Sequence, residues 1–239
     1  MSIEEILFIL VVFIANIIQT TTCFAGTVLA MPLSIRFLGE EQAKAILNLI
    51  AVMICLYVII AHFKDINWKE LGLMILFVGA GFGTGFGISI IPHDPSIFLK
   101  VYGAIICLIA IVFFFLNTDK VKLPLWLLFL LLFLGGILHQ LYVSGGPLVV
   151  IYATYRLKDK NQFRATLSIM WLILNSILFG EQMAMGYFTS RTWMLFGIAA
   201  GASVLSIVIG QLIAKKLNLK VFLKITYGLL LISGISLIV

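Results

Sequence analysis

Two stretches of this chain place hydrogen-bonding groups inside otherwise apolar runs. The first is Gln19-Thr20-Thr21-Thr22-Cys23-Phe24-Ala25-Gly26. The second is Gly135-Gly136-Ile137-Leu138-His139-Gln140-Leu141-Tyr142-Val143-Ser144-Gly145-Gly146-Pro147. Lipid cannot satisfy a bare N–H or C=O. Non-helical backbone at membrane depth therefore persists only inside protein or beside a water-filled cavity. Paired interruptions in two halves of a chain point to a transporter's substrate site. The groups on offer are neutral and rich in donors: Gln19, Thr20, Thr21, Thr22, His139, Gln140, Tyr142 and Ser144, with Asn48, Ser168 and Asn175 elsewhere. Backbone N–H groups join them where helices restart near Gly26, Gly145 and Gly146. A helix N-terminus carries about half a positive charge and binds anions without a formal cation.

All ten acidic residues lie near segment ends or in loops. Cation carriers generally need an intramembrane acid, so a carboxylate-built metal or sodium site is not expected. No cofactor is implied. The chemistry that remains is the binding of a small anion. Lys44 and Arg164 begin helices at equivalent places in the two halves. Asn48 and Ser168 follow one turn later and project from the same faces. A proton could couple through His139, the only histidine within a span. An intramembrane enzyme would need His139 as base and Ser144 as nucleophile. On a regular helix these would point about 140° apart, and no third group orients them, so no enzyme is expected. An accessory membrane subunit is the other alternative, though it would have little use for duplicated polar interruptions.

The elements that must position these groups are membrane helices. Of the 239 residues 62% are hydrophobic and 11% charged, and mean hydropathy is +1.18; soluble domains have about 25% charged residues. The start, Met1-Ser2-Ile3-Glu4-Glu5, lacks the basic region of a secretory signal, so the first span is read as retained. Cys23, Cys55 and Cys107 have no paired spacing and read as small buried residues. Trp68, Trp126 and Trp193 at segment starts read as interfacial anchors. Eight spans are expected: 5–35 (broken), 41–62, 70–91, 97–116, 123–155 (broken), 162–181, 190–212 and 219–239. With loops on alternate sides, eleven of the 16 basic residues fall on one side. These are Arg36, Lys44, Lys100, Arg156, Lys158, Lys160, Arg164, Lys215, Lys216, Lys220 and Lys224. Positive charge marks the cytoplasmic side, which makes both termini extracytoplasmic. The net charge of +6 reports orientation in the cell membrane and not a nucleic-acid partner.

The halves repeat. At an offset of 120, Gly26 meets Gly146, Gln42 meets Gln162, Lys44 meets Arg164 and Leu47 meets Leu167. Near the ends the offset drifts, and Tyr102-Gly103 meets Tyr227-Gly228. The expected architecture is all-α, two repeats of four spans, 1–118 and 119–239, with spans 1 and 5 broken. Four crossings per repeat is even, which predicts a parallel repeat. Segments 5–35 and 123–155 each exceed 30 residues, however, and the hydrocarbon core is only ~30 Å thick. Each is either a tilted, broken span or a span plus a re-entrant half-helix. If the extra piece crosses fully, the repeats become inverted.

At these residues the chain resembles the sulfite exporter TauE/SafE family. The second half carries the resemblance in Gly135-Gly136, Ser144-Gly145-Gly146-Pro147-Leu148 and Phe163-Arg164-Ala165-Thr166-Leu167. The first half matches more loosely, in Phe24-Ala25-Gly26, Met31-Pro32-Leu33 and Ala43-Lys44-Ala45-Ile46-Leu47-Asn48. It has Cys23-Phe24-Ala25 where members often have consecutive glycines. The resemblance implies transport of a small sulfur-containing anion such as sulfite or a sulfonate. The expected partners are that anion and membrane lipid, and a homo-oligomer is compatible with the sequence.

Overall fold

The computed structural model describes residues 1–90, 100, 103–104, 107–108, 110–111 and 123–238. The described residues are helical and contain no strand. Nine helices have defined bounds: α1 (Ile3–Thr22), α2 (Ala25–Leu38), α3 (Glu40–His62), α4 (Trp68–Ser89), α5 (Leu125–Tyr142), α6 (Gly146–Arg156), α7 (Lys160–Ala184), α8 (Ser190–Lys216) and α9 (Leu219–Ile238). A short 3₁₀ turn, Phe63–Asp65, follows α3. Six of the helices are long and apolar enough to cross a membrane: α1, α3 with its 3₁₀ turn, α4, α5, α7 and α8. The span expected over 97–116 lies largely outside the described residues.

Local chemistry sets the helix starts. Ser2 and Glu5 form a reciprocal capping box on α1. Asn67, Asp159 and Thr189 cap α4, α7 and α8 with side-chain oxygens. Each cap satisfies donors that a helix start leaves unpaired. Around the bundle, large apolar side chains face outward, among them Ile60, Leu76 and Leu205. That belt suits lipid. The apolar window of α7 is 61% buried against 33% for α4 and α8, so α7 sits centrally. It packs against α3, while α1 pairs with α8 and α4 with α5.

Contacts fix the helix directions. Arg191 at the start of α8 pairs with Glu5 at the start of α1, Nη2 to Oε1 at 2.7 Å. Further along, Ser206 Oγ donates to Phe13 O and Thr21 Oγ1 to Gly210 O. These two helices therefore run the same way. So do α4 and α5, where Phe77 stacks on Phe129 at 4.3 Å and Gly85 lies against Gln140. In contrast α3 and α7 run oppositely. Asn48 near the start of α3 bonds Gln182 near the end of α7, and Asn67 beyond α3 bonds Thr166 near the start of α7.

Both polar interruptions are hairpins. Cys23 (φ 67°) and Val143 (φ 53°), 120 residues apart, take the left-handed conformation after α1 and α5. For a β-branched valine this is strained, at a cost of ~1–3 kcal/mol. The chain then folds back. A Cβ on Gly26 would lie 2.3 Å from Ala15 O, and one on Gly145 would lie 1.9 Å from Gly135 O. Glycine permits this close return of α2 along α1, and of the chain entering α6 along α5. Segments 5–35 and 123–155 are thus not single bent spans.

This corrects the parallel repeat. Related helices of a parallel repeat run the same way, yet α3 and α7 oppose each other. The physical reason is that each hairpin adds a reversal. It also reassigns the loops. Let the near end of the bundle be the one holding Met1. It carries Arg36, Lys44 and Arg191, at the end of α2 and the starts of α3 and α8. The far end carries Lys64, Lys69, Arg156, Lys158, Lys160, Lys215 and Lys216. Arg156 had been expected opposite Lys69, but it bonds Glu70, the next residue along, at 2.8 Å.

Candidate functional site

The two hairpins enter from opposite ends, and their turns meet in the interior. A Cβ on Gly146 would touch Phe24 Cβ at 3.1 Å. Between them lies a void of about 10 Å³, lined by residues including Gln19, Phe24, His139, Gly146, Trp171 and Asn175. Such a volume holds about one water.

On the first hairpin, side chains of the chain itself occupy the freed donors. Gln19 Oε1 accepts from Gly26 N at 2.9 Å. Thr22 Oγ1 accepts from Ala25 N and donates to Ile18 O. Thr21 Oγ1 donates to Ile17 O one turn earlier as well as to Gly210 O. On the second hairpin, Ser144 Oγ donates to Tyr142 O at 2.8 Å. The ring of His139 lies 4.6 Å from that of Trp171, and its Nε2 is 2.8 Å from Asn175 Oδ1. Its Nδ1 has no partner among the described residues.

Arg164 is the least expected of these residues. It is 1% exposed, and it has no carboxylate partner among the described residues. Nη2 donates to Thr20 O at 2.9 Å and to Gln211 Oε1 at 2.7 Å. Its Nε, Thr20 Oγ1 and Ser168 Oγ are all buried without partners among the described residues. A buried cation is costly unless it is paired or well hydrogen-bonded. Here two neutral acceptors hold it while donor capacity stays unused, which favours an anion. A polar chain continues from it toward the far end. Gln211 Nε2 lies 3.4 Å from His62 Nε2, and His62 Nδ1 lies 3.2 Å from Asp65 Oδ2.

Lys44 stands elsewhere. It was expected on the same side as Arg164, but it lies at the near end, ion-paired with Glu40 and 5.5 Å from the centre of the Tyr142 ring. A cavity of about 320 Å³ opens here, reaching from Glu40 and Tyr187 at the mouth to Gln140, Tyr142 and Val143. Gln140 Nε2 donates to Glu181 Oε1 at 3.3 Å. Asn48 is fully buried and donates to Asn175 O and Gln182 Oε1.

Most of the expected residues fall into three groups, and Asn48, Thr22 and Ser144 stand apart from them. Gln19, Gly26, His139, Gly145 and Gly146 meet at the hairpin tips. Thr20, Arg164 and Ser168 lie toward the far end, and Thr21 ties α1 to α8 through Gly210 O beside them. Lys44, Gln140 and Tyr142 line the near-end cavity. Asn48 bridges α3 to α7, and Thr22 and Ser144 hold the turns. Glu40, Trp171, Glu181, Gln182 and Gln211 were not singled out by sequence. A polar residue inside an apolar helix was the available signal for Gln211, and the Glu181-Gln182 pair at the end of α7 was another.

An all-helical protein with several membrane-crossing helices and two interior hairpins is a multi-pass membrane protein. The sulfite exporter TauE/SafE family matches residues 8–237. The chain belongs to that family, which is described as one of transporters. No curated protein and no solved structure matches it.

Proposed function

We propose that this protein is a secondary carrier of a small anion, sulfur-containing as in sulfite or a sulfonate. The observation that carries the reading is Arg164: buried, without a carboxylate partner among the described residues, and beside unused donors. The anion binds between the hairpins, within reach of Thr20, Thr21 and Arg164 on one side and Gln140 and the Gly145–Gly146 turn on the other. The near-end cavity is the open access path, and the tips and the Arg164 cluster close the far side. Rocking of the two halves exposes the anion alternately.

An inverted repeat is the natural frame for this motion. Several pairings support it. The α1–α8 contact mirrors the α5–α4 contact, Cys23 mirrors Val143, and Gly26 mirrors Gly146. Lys44 and Arg164 then occupy equivalent places at opposite ends. The basic far end is the cytoplasmic one, and the protein resides in the cell membrane with both termini outside.

The test is uptake by purified protein in liposomes across sulfite, sulfate, an alkyl sulfonate and a carboxylate. Saturable sulfite or sulfonate flux above that of protein-free vesicles is expected. Flux of none of these anions, by protein shown to be folded, would overturn the reading.

A further inference from the structure

The near-end cavity holds a charge pattern that anion binding alone does not explain. Its cation, Lys44, is already ion-paired with Glu40. Glu181 is a second carboxylate in the same wall, where Gln140 Nε2 donates to it. With all three groups charged, the cavity carries one surplus negative charge. An anion approaching the hairpin tips from this end must pass it. Among the described residues, the elements around Glu181 offer no other formal cation to the cavity. From α3 come Lys44 and Glu40, from α5 Gln140 and Tyr142, from α4 Ser89, and from α7 and the turn after it Gln182 and Tyr187. Burial first, and then the carboxylates of Glu41, Glu40 and Glu181, raise the Tyr187 hydroxyl above its ordinary value. The field at the mouth is thus acidic.

A second observation points to a ligand. Gln140 Oε1 and Tyr142 Oη, on side chains of residues only 6% and 3% exposed, have no partner among the described residues. Both residues line the cavity. Gln140 Oε1 is an acceptor without a donor, a few ångströms from a carboxylate that carries no proton when ionised. A glutamine amide can serve either state of its neighbour. It donates through nitrogen to a carboxylate and, turned over, accepts through oxygen from a carboxylic acid.

We propose that Glu181 is a proton-binding site whose occupancy is coupled to passage of the anion. A proton from near-end solvent binds a Glu181 carboxylate oxygen. The resulting O–H donates to Gln140 Oε1, and the cavity loses its surplus negative charge as the anion enters. Gln140 is two residues from the end of α5, so the change is delivered beside the turn that meets Phe24. When rocking exposes the site to the far side, the Glu181 O–H gives its proton to solvent there as the anion leaves. Glu181 returns ionised, so the carrier moves anion and proton in the same direction. This rests on the transport reading above.

The experiment uses sulfite with purified protein in liposomes holding an internal pH dye. Mildly alkaline buffer is used, and protein-free vesicles correct for passive entry. Wild-type protein is expected to acidify the lumen during net sulfite uptake and to speed up under an inward proton gradient. Glu181→Gln, compared with wild type at equal sulfite flux, is expected to lose the dye signal and to ignore the gradient. Glu181→Asp, which keeps the carboxyl group, is expected to retain coupling. Wild-type sulfite flux without proton movement overturns the proposal while leaving the transport reading intact. So does proton movement that persists in Glu181→Gln. Absence of wild-type sulfite exchange removes the transport reading, and the proposal with it. Should Glu181→Gln fail to fold, calorimetry of sulfite binding to wild type in buffers of differing ionisation enthalpy decides. Proton uptake on binding supports the site, and none overturns it.

Discussion

Arg164 and Lys158 lie six positions apart, yet their surroundings assign them different work. Lys158 Nζ donates to Thr154 O at the far-end surface, whereas Arg164 is enclosed with unused donor capacity. A hydrogen bond to a charged group contributes ~1.5–3 kcal/mol, roughly a tenfold to hundredfold change in affinity. Arg164→Gln should therefore weaken sulfite binding by about that factor, while Lys158→Ala leaves it unchanged. Binding isotherms on protein of normal melting temperature test this. Wild-type affinity in a folded Arg164→Gln protein would remove Arg164 from the anion site. Arg164→Lys keeps the charge but loses the Nε–H, the donor left unused beside Thr20 and Ser168, and the planar guanidinium geometry. It should recover binding only in part.

At the scale of elements, the glycines of α4 separate by face. A Cβ on Gly81 would lie 1.8 Å from Phe133 O, and one on Gly136 of α5 would lie 2.0 Å from Val78 O. These obstacles are backbone, so the helices must move apart. Gly79, Gly83 and Gly87 have nothing within 4 Å of such an atom. Gly81→Ala and Gly136→Ala should destabilise by about 1–3 kcal/mol, the usual cost of overpacking. Gly83→Ala should be neutral or stabilise by up to ~1 kcal/mol through helix propensity. Thermal melting in detergent compares them. A second test concerns the clamp of α4 on α6, where Glu70 accepts from Arg156 and from Tyr152 Oη at 2.6 Å. The Glu70 side chain is 8% exposed and that of Arg156 40%. Removing Arg156 strands a buried carboxylate, whereas removing Glu70 frees a guanidinium that can reach water. Arg156→Ala should therefore lower the melting temperature more than Glu70→Ala. The reverse order would show that the pair does not clamp the far end in this way.

For the whole molecule, helix direction and charge together support the proposed orientation. The far end holds Lys64, Lys69, Arg156, Lys158, Lys160, Lys215 and Lys216, and the near end Arg36, Lys44 and Arg191. Cysteines placed at Ser2 and Tyr187 should react with a membrane-impermeant thiol reagent in intact cells. One placed at Lys158 should react only after permeabilisation. Protection of Ser2→Cys together with labelling of Lys158→Cys would invert the orientation. Cys23 and Cys55 are buried and should contribute little background from the described interior.

The sequence by itself determined the membrane class, the helix-rich composition and the position of both interruptions. Each of these follows from local rules: apolar run length, backbone that lipid cannot satisfy, and glycine with proline at a helix break. It also singled out Gln140, His139 and Arg164 as candidates, because a polar group in an apolar segment needs a reason. Only tertiary structure decided the direction of the chain beyond each interruption. Whether α2 continues along α1 or folds back on it depends on the left-handed Cys23 and on Gly26 meeting Ala15, a contact that hydropathy does not encode. That one reversal in each half set α3 against α7, moved Lys44 to the end opposite Arg164, and put Glu181 across from Gln140. Pairings such as Arg164 with Gln211 span 47 residues. They arise from the packing of separate helices, so no local pattern in the chain could announce them.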